Sequence, residues 1–293
     1  MVRYGFMSSQ PRISIIIVSW NGRELLERCL RSLARHVTIA HEIIVVDNFS
    51  IDGTVASITK NFPTVKLIAN QSNRGFSAAN NQGLAIATGE MVCFLNADTE
   101  VQSDPFPILL NALEISPRCG AVAPRLLNAD GSIQSSTRRF PRWPDQVLTV
   151  LKLRHLFRTS SVMRRYRDGR AETASEPLSV DEAMGAALLM SRPALADVGG
   201  WDEGYWIWFE DVDMCQRLHR AGWDIRYVPA ATVMHHGGSS FRQVMSVRKQ
   251  WWFLRSLWRY TRRYWSPVAA GSLALLYPIS YALTVLQSLL KPR

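Results

Sequence analysis

The acids whose surroundings suit chemistry are Asp47, Asp98 and the Glu210–Asp211 pair, and His235-His236 is the matching basic cluster. Asp47 closes a β-branched run, Glu42 to Val46, and opens Asp-Asn-Phe-Ser-Ile-Asp-Gly-Thr. An acid at such an edge accepts hydrogen bonds from a base or ribose; the same residues also make an Asx turn, with Ser50 and Asp52 capping the next helix. Asp98 ends Asn96-Ala97-Asp98 after the run Met91 to Leu95. Carboxylate oxygen beside substrate phosphates suits Mg²⁺ or Mn²⁺, and a turn or cap is the plainer alternative. Glu210, Asp211 and Asp213 open a helix, where the macrodipole alone favours acids. Yet Trp201, Trp206 and Trp208 crowd ahead of them. Apolar neighbours hold a carboxyl's pKa up toward the working range of a general base, and indole faces stack on sugar rings. In His235-His236-Gly237-Gly238-Ser239-Ser240 adjacent side chains point apart, so at most one histidine serves as a ligand, and the glycine pair permits close backbone approach.

The elements that must position these groups follow from hydrophobic period. Ile13 to Val18 is a continuous β-branched run, expected to be a strand buried on both faces. Leu25, Leu26, Cys29, Leu30 and Leu33 recur at helical spacing within 24–36. Strands at 42–46, 65–69 and 91–95 alternate with helical stretches ending near Phe62 and covering 76–87. This alternation predicts a parallel, doubly wound sheet, in which ligands bind beyond the carboxyl ends of the strands, where Asp47 and Asp98 lie. A strand or extended segment over 183–190, a helix over 211–221 stopped by Gly222, and two short strands at 225–228 and 232–234 complete the pattern.

Charge is distributed unevenly. Ten of the 34 basic residues lie beyond Asp224 and none of the 24 acids does, so the whole +10 excess sits in the last quarter. That asymmetry calls for an anionic partner there, lipid or nucleic acid. The segment 138–170, rich in Arg and Lys with Asp145 and Asp168 as its acids, reads as an exposed insertion. The four cysteines have no CxxC spacing and mostly sit in apolar runs, which fits buried thiols in a reducing compartment. The opening MVRYGFMSSQPR lacks the apolar stretch of a signal peptide, and Met7 is a second candidate start. Residues 268–290 carry no charge, and a helix of that length reaches across a hydrocarbon core of about 30 Å. Before it, Arg and Lys interleave with Trp251, Trp252, Trp258, Tyr260, Tyr264 and Trp265, the composition of a headgroup region. Pro267, Gly271 and Pro278 leave open two short interfacial helices in place of a straight span. Nucleic acid is disfavoured, because no nucleic-acid module is recognisable.

Taken in order, ISIIIVSWNG, IIVVDNFSIDGT, NRGFSAANNQG, CFLNADTE, GGWDEGYWIWFEDVDMCQRLHRAGW and HHGGSS resemble family 2 glycosyltransferases, and most closely their bacterial rhamnosyltransferase-like branch. The resemblance implies a GT-A fold over residues 1–241, with a Rossmann-like, mostly parallel sheet, followed by a basic, aromatic and then apolar region over 242–293. It implies a divalent cation, Mg or Mn, and inversion at the anomeric carbon. It assigns Trp20, Asn21, Asp47, Arg74, Gly75, Asn80, Asn96 and Ala97 to the nucleotide-sugar site. Asp98 matches the last acid of the metal motif, whose first position is Asn96 here. His235 matches a histidine that completes the metal shell in some relatives, with His236 as the alternative. Asp211, beside Glu210, matches the general base, and Trp206 and Trp208 fall on the acceptor side.

The resulting expectation is a transferase at the cytoplasmic face of the cell membrane, acting in cell-surface polysaccharide synthesis. The branch implies dTDP-rhamnose as donor, with UDP- and GDP-sugars open, and a lipid-linked or other glycan acceptor. Its rivals are a sugar nucleotidyltransferase and a non-catalytic carbohydrate-binding protein on the same fold.

Overall fold

The structure is a computed structural model that describes residues 11–237 and 244–290. The first ten residues, Gly238 to Ser240 of the histidine-glycine motif, Arg242, and the last three residues lie outside the described residues.

The chain opens with β1 (Ile13–Ser19), α1 (Arg23–His36), β2 (His41–Asp47), α2 (Thr54–Asn61), β3 (Lys66–Ala69), α3 (Phe76–Ile86) and β4 (Met91–Asn96). Then come β5 (Thr99–Glu100), α4 (Phe106–Glu114), β6 (Cys119–Leu127), β7 (Ile133–Gln134), β8 (Thr137–Arg138), α5 (Trp143–Val150), α6 (Ser161–Arg167) and α7 (Arg170–Thr173). The remainder is β9 (Leu178–Ser179), β10 (Glu182–Ala183), β11 (Ala187–Ser191), α8 (Arg192–Val198), α9 (Glu210–Arg220), β12 (Asp224–His235), α10 (Ser246–Tyr264), α11 (Pro267–Ala274) and α12 (Tyr277–Leu289).

The main path of the sheet is β3-β2-β1-β4-β11-β6-β12-β5. Strands β3, β2, β1 and β4 pair in parallel, as do β6 and β12. β11 lies antiparallel between β4 and β6, so every long strand but this one runs the same way. The sheet is thus mixed and mostly parallel, flanked by helices, and the fully parallel arrangement suggested by the first four strands stops at β11. β1 shows why the sheet needs cover on both faces: Ile13, Ile15 and Ile17 pack into one core with Leu26, Leu30 and Phe106, while Ile16 packs into the other with Met214 and Leu218. Helix α3 approaches β1 closely because it is built of small residues; a Cβ on Gly83 would lie 2.5 Å from a methyl of Ile16.

Two expectations need correction. The strands foreseen at 225–228 and 232–234 are one strand, β12, interrupted by a bulge between Val228 and Thr232. Val228 pairs with Pro124 of β6, which has no N–H to donate, and the ladder shifts register there. The basic segment 138–170 is exposed only in part, most continuously over 154–159. It contains α5 and α6, with Asp145, Gln146, Val150 and Met163 all buried. Asp145 caps α5 by accepting from the Arg142 N–H at 3.0 Å and ties it to α6 through Arg165 at 3.3 Å.

Helices α5, α9 and α10 share a third core, in which Val150, Phe209, Val212, Leu254, Leu257 and Tyr260 are buried together. Asp213, fully buried in α9, fastens α10 to it: the carboxylate takes Arg217 at 2.8 Å, Tyr264 at 2.7 Å and Arg263 at 3.1 Å. Arg259 and Arg263 also reach Asp202. The uncharged run after α10 is α11 and α12, broken at Leu275–Leu276; Pro267–Leu289 is long and apolar enough to cross a membrane by length and composition.

Candidate active site

A cavity of about 890 Å³ opens at the carboxyl ends of β1 and β4. It is large enough for a nucleotide-sized ligand and lies where open α/β sheets bind ligands. Of the residues singled out from sequence, Trp20, Gly75, Asn96, Ala97, Asp98, Trp206, Trp208, Glu210, Asp211 and His235 all line it. They come from segments up to 215 positions apart, from Trp20 to His235, brought together because β4 and β12 end on the same side of the sheet.

One wall carries Asp98 and His235. The Nε2 of His235 lies 3.2 Å from Asp98 Oδ1 and 3.4 Å from the Asn96 amide, and its Nδ1 faces Gln134 Oε1 at 2.7 Å. Gln134 therefore fixes the ring so that Nε2 points at the carboxylate. His236 turns the other way, to Glu100 at 2.8 Å. Asp98 and His235 offer an oxygen and a nitrogen donor side by side. Among the described residues no group of three or more His, Cys, Asp and Glu side chains is arranged to hold a metal ion. Two such donors side by side are a set that suits an ion sharing its shell with substrate phosphates and water.

The other wall carries the acids of α9. Trp208 and Phe209 adopt left-handed backbone, φ 61° and 67°, immediately before Glu210. Two such non-glycine residues in succession are strained by about 1–3 kcal/mol each, and the packing of Trp208 and Phe209 on Phe253 of α10 holds them in place. Asp211 Oδ2 accepts from the Gly185 N–H at 3.2 Å and Oδ1 from the Val212 N–H at 2.8 Å. Burial raises its pKa against these hydrogen bonds and the field of Arg138. Glu210 is buried, its Oε2 has no partner among the described residues, and burial together with the Asp211 charge holds its pKa well above the ordinary carboxyl range.

A third acid was not legible as a site residue. Glu182, fully buried in β10, lines the cavity, meets Arg138 at 3.4 Å, and has its pKa pushed up to about 7 by burial. In sequence it is only the second of two adjacent acids, Asp181 and Glu182, ahead of the apolar stretch Ala183 to Met190. Asn48 is likewise a hub: its side chain bonds Asn73, the Gly75 carbonyl and the Arg74 N–H at 3.0, 3.1 and 2.9 Å, shaping the loop before α3. That loop ends at Gly75, φ 82° and ψ 170°, where an added Cβ would lie 3.0 Å from the Trp206 ring.

Four expected donor-site residues stand back from the cavity lining. Asn21 accepts from the Ile51 N–H at 2.8 Å and shapes the neighbouring loop. Arg74 is exposed, and Asn80 is buried against its own helix, bonding the Phe76 carbonyl at 3.0 Å. Asp47 is buried; one oxygen accepts from the Ser50 N–H at 2.9 Å, while Oδ1 is enclosed without a partner among the described residues.

A Rossmann-like, mostly parallel sheet with a cavity at its carboxyl edge, lined by acids and tryptophans, is an architecture of the GT-A class. Comparison with known proteins agrees. The model of glycosyl transferase family 2 matches residues 14–195, and that of glycosyl transferase family group 2 matches 141–291. The chain belongs to glycosyl transferase family 2. It is 32% identical over 244 residues to the N-acetylglucosaminyl-diphospho-decaprenol L-rhamnosyltransferase of Mycobacterium tuberculosis, covering 78% of this chain and 77% of that one. Among solved structures, the mannosyltransferase PcManGT from Pyrobaculum calidifontis in complex with GDP-Man and Mn2+ shares the fold at a TM-score of 0.58 and 18% identity, over 98% of this chain and 77% of that one. GalNAc-T7 with UDP, GalNAc and Mn2+ does so at 0.58 and 19%, over 78% of this chain and 44% of that one.

Proposed function

We propose that this chain is an inverting, metal-dependent glycosyltransferase that moves a sugar from a nucleoside-diphosphate donor to a hydroxyl of a lipid-linked glycan, at the cytoplasmic face of the cell membrane. The observation that carries this reading is the single cavity holding Asp98 and His235 on one side and Glu210 and Asp211 on the other. Similarity to the rhamnosyltransferase favours rhamnose, with dTDP-rhamnose as donor, and a diphosphate-linked lipid acceptor.

The chemistry assigned to the protein is proton removal and positioning. Asp211, its oxygens oriented by two backbone N–H groups, takes the proton of the acceptor hydroxyl. The freed oxygen forms its bond to the anomeric carbon as the carbon–oxygen bond to the diphosphate breaks, and the diphosphate leaves with that electron pair. A divalent cation, Mg or Mn, held by Asp98 and His235 would supply charge neutralisation for that leaving group. Trp206 and Trp208 give the acceptor sugar flat faces, and Asp47, enclosed behind the cavity wall, holds the turn at Ser50 beside the nucleotide end. Exposed Val268, Leu275, Ile279, Leu286 and Leu289, with the uncharged span that holds them, support membrane attachment.

The test is thermal-shift binding of dTDP, UDP and GDP with and without Mn²⁺, followed by transfer to a polyprenyl-diphosphate-linked N-acetylglucosamine. A metal-dependent shift with one nucleotide, and release of that nucleoside diphosphate and not pyrophosphate during transfer, is expected. A folded sample that binds none of the three would sink the proposal and favour a non-catalytic protein on this fold.

A further inference from the structure

The segment joining α5 to α6 is not used by the mechanism above, yet it forms part of the cavity. Arg154, His155 and Arg167 line the cavity together with Tyr166 and Arg138. From Gln146 to Arg167 the chain contains no acid. Neither Arg154 nor Arg167 has a described carboxylate within ion-pair distance, whereas Arg165 is engaged by Asp145. Glu172 is the acid on this stretch of the rim, and it too stands without a described ion pair. Lys152, in left-handed backbone at φ 61°, is anchored to Gln250 of α10, an amide that leaves its charge uncompensated. Burial first, and then the neighbouring charge of Arg154, lower the Lys152 pKa.

Beside these cations stand two large apolar side chains in water: Leu156 is 78% exposed and Phe157 47%. The turn that presents them is held by backbone bonds from Phe157 to Leu153 and from Ser160 to Phe157. Cations facing into a cavity, with an apolar pair facing out beside them, match an amphiphile whose anionic head enters and whose hydrocarbon stays outside. A bilayer phosphate answers less well, because Arg154 and Arg167 line the same cavity as Asp211. An acceptor whose first sugar is joined to a diphosphate must place that diphosphate one ring away from the hydroxyl being activated.

We infer that the α5–α6 segment is a prenyl-diphosphate site, in which Arg154 and Arg167, with His155, hold the diphosphate and Leu156 and Phe157 meet the first isoprene units. This rests on the lipid-linked acceptor proposed above and assigns residues to it.

The test uses the full chain in detergent micelles, with farnesyl diphosphate as probe in the presence of EDTA, so that any metal-dependent diphosphate binding is silent. Calorimetry is expected to show binding that weakens about tenfold on each of Arg154→Ala and Arg167→Ala, in keeping with loss of a charge-assisted hydrogen bond. The pair Leu156→Ser and Phe157→Ser weakens farnesyl diphosphate while leaving inorganic pyrophosphate unchanged. Nucleotide binding with Mn²⁺ stays at the wild-type level in all of these variants, which shows that they fold. Equal affinity of the wild type and the double arginine variant for farnesyl diphosphate would overturn the inference. So would variants that lose only their retention on phosphatidylglycerol vesicles, which would give these cations to the bilayer. Farnesyl diphosphate binding that depends on these arginines, in a chain that binds no nucleotide, would uphold the site while refuting the transferase reading.

Discussion

Replacing Glu182 by Gln gives a prediction whose size follows from the structure. The carboxyl is enclosed in β10 beside Arg138, and burial raises its pKa from 4.5 to about 7 in spite of that neighbour. Each tenfold change in proton affinity is about 1.4 kcal/mol, so keeping this group ionised costs the folded protein about 3 kcal/mol relative to the unfolded chain. The sign is fixed by linkage. Below about pH 4.5 the group is neutral in both states and the folded protein bears no cost. As pH rises toward 7 the unfolded chain releases the proton, the folded chain keeps it, and stability falls; above that the loss is complete. Glutamine, nearly isosteric and always neutral, removes this dependence. Urea unfolding of both proteins at intervals from about pH 4 to 8.5, compared as differences in stability, is expected to show E182Q gaining on the wild type by up to about 3 kcal/mol across the window, with any constant offset from the altered Arg138 contact cancelling in the slope. A difference that stays flat with pH, or that favours the wild type as pH rises, would refute the placement of Glu182 as a buried, weakly compensated acid.

Asp211→Asn should lower turnover by about 10² to 10⁴, the usual worth of a positioned base, while thermal-shift binding of nucleotide with Mn²⁺ is kept; equal loss of both would count against a base role. Asp98→Asn or His235→Ala should abolish the metal dependence of the nucleotide-induced thermal shift, and His235→Ala, which leaves Gln134 without its partner, should also cost about 1–3 kcal/mol of stability. Asp213→Ala leaves Arg217 and Arg263 without their shared carboxylate and is expected to cost about 3 kcal/mol in chemical denaturation, since it removes one partner of a buried ionic cluster. Gly75→Ala forces a side chain into a backbone region that suits glycine and against Trp206; calorimetry should show a stability loss of about 1–3 kcal/mol and weaker donor binding.

Much of the architecture was legible because it is local. The β-branched runs of β1, β2 and β4 and the 3.6-residue period of α1 declare themselves within a few residues of sequence. The stretch from Thr99 to Gln134 did not, although it supplies α4 and β6. Pro124 sits in the middle of β6, and proline ordinarily argues against a central strand; only the bulge in its partner β12 makes it tolerable. The same limit applies to the site. Asp98, Glu210 and Asp211 stand at element ends with conspicuous neighbours, whereas the environment of Glu182 depends on Arg138, 44 positions earlier in the chain, which nothing local reveals. In the segment 138–170, charge density points to exposure, which holds over 154–159 and fails where α5 and α6 pack. Its arginines sit over a buried face formed by Asp145, Gln146, Val150 and Met163, a pattern that composition cannot resolve.

The joining of α9 to α10 through Asp213 bears on how this protein can be shortened. Trp252 and Phe253 of α10 line the cavity, and Phe253 packs on the strained Trp208–Phe209 turn that delivers the acids of α9. A version cut at residue 241 would therefore lose part of the cavity wall along with the apolar helices, while one cut after Tyr264 would keep that wall whole. α10 also packs against α11 and α12, so the apolar helices and the turn that carries Asp211 share one neighbour.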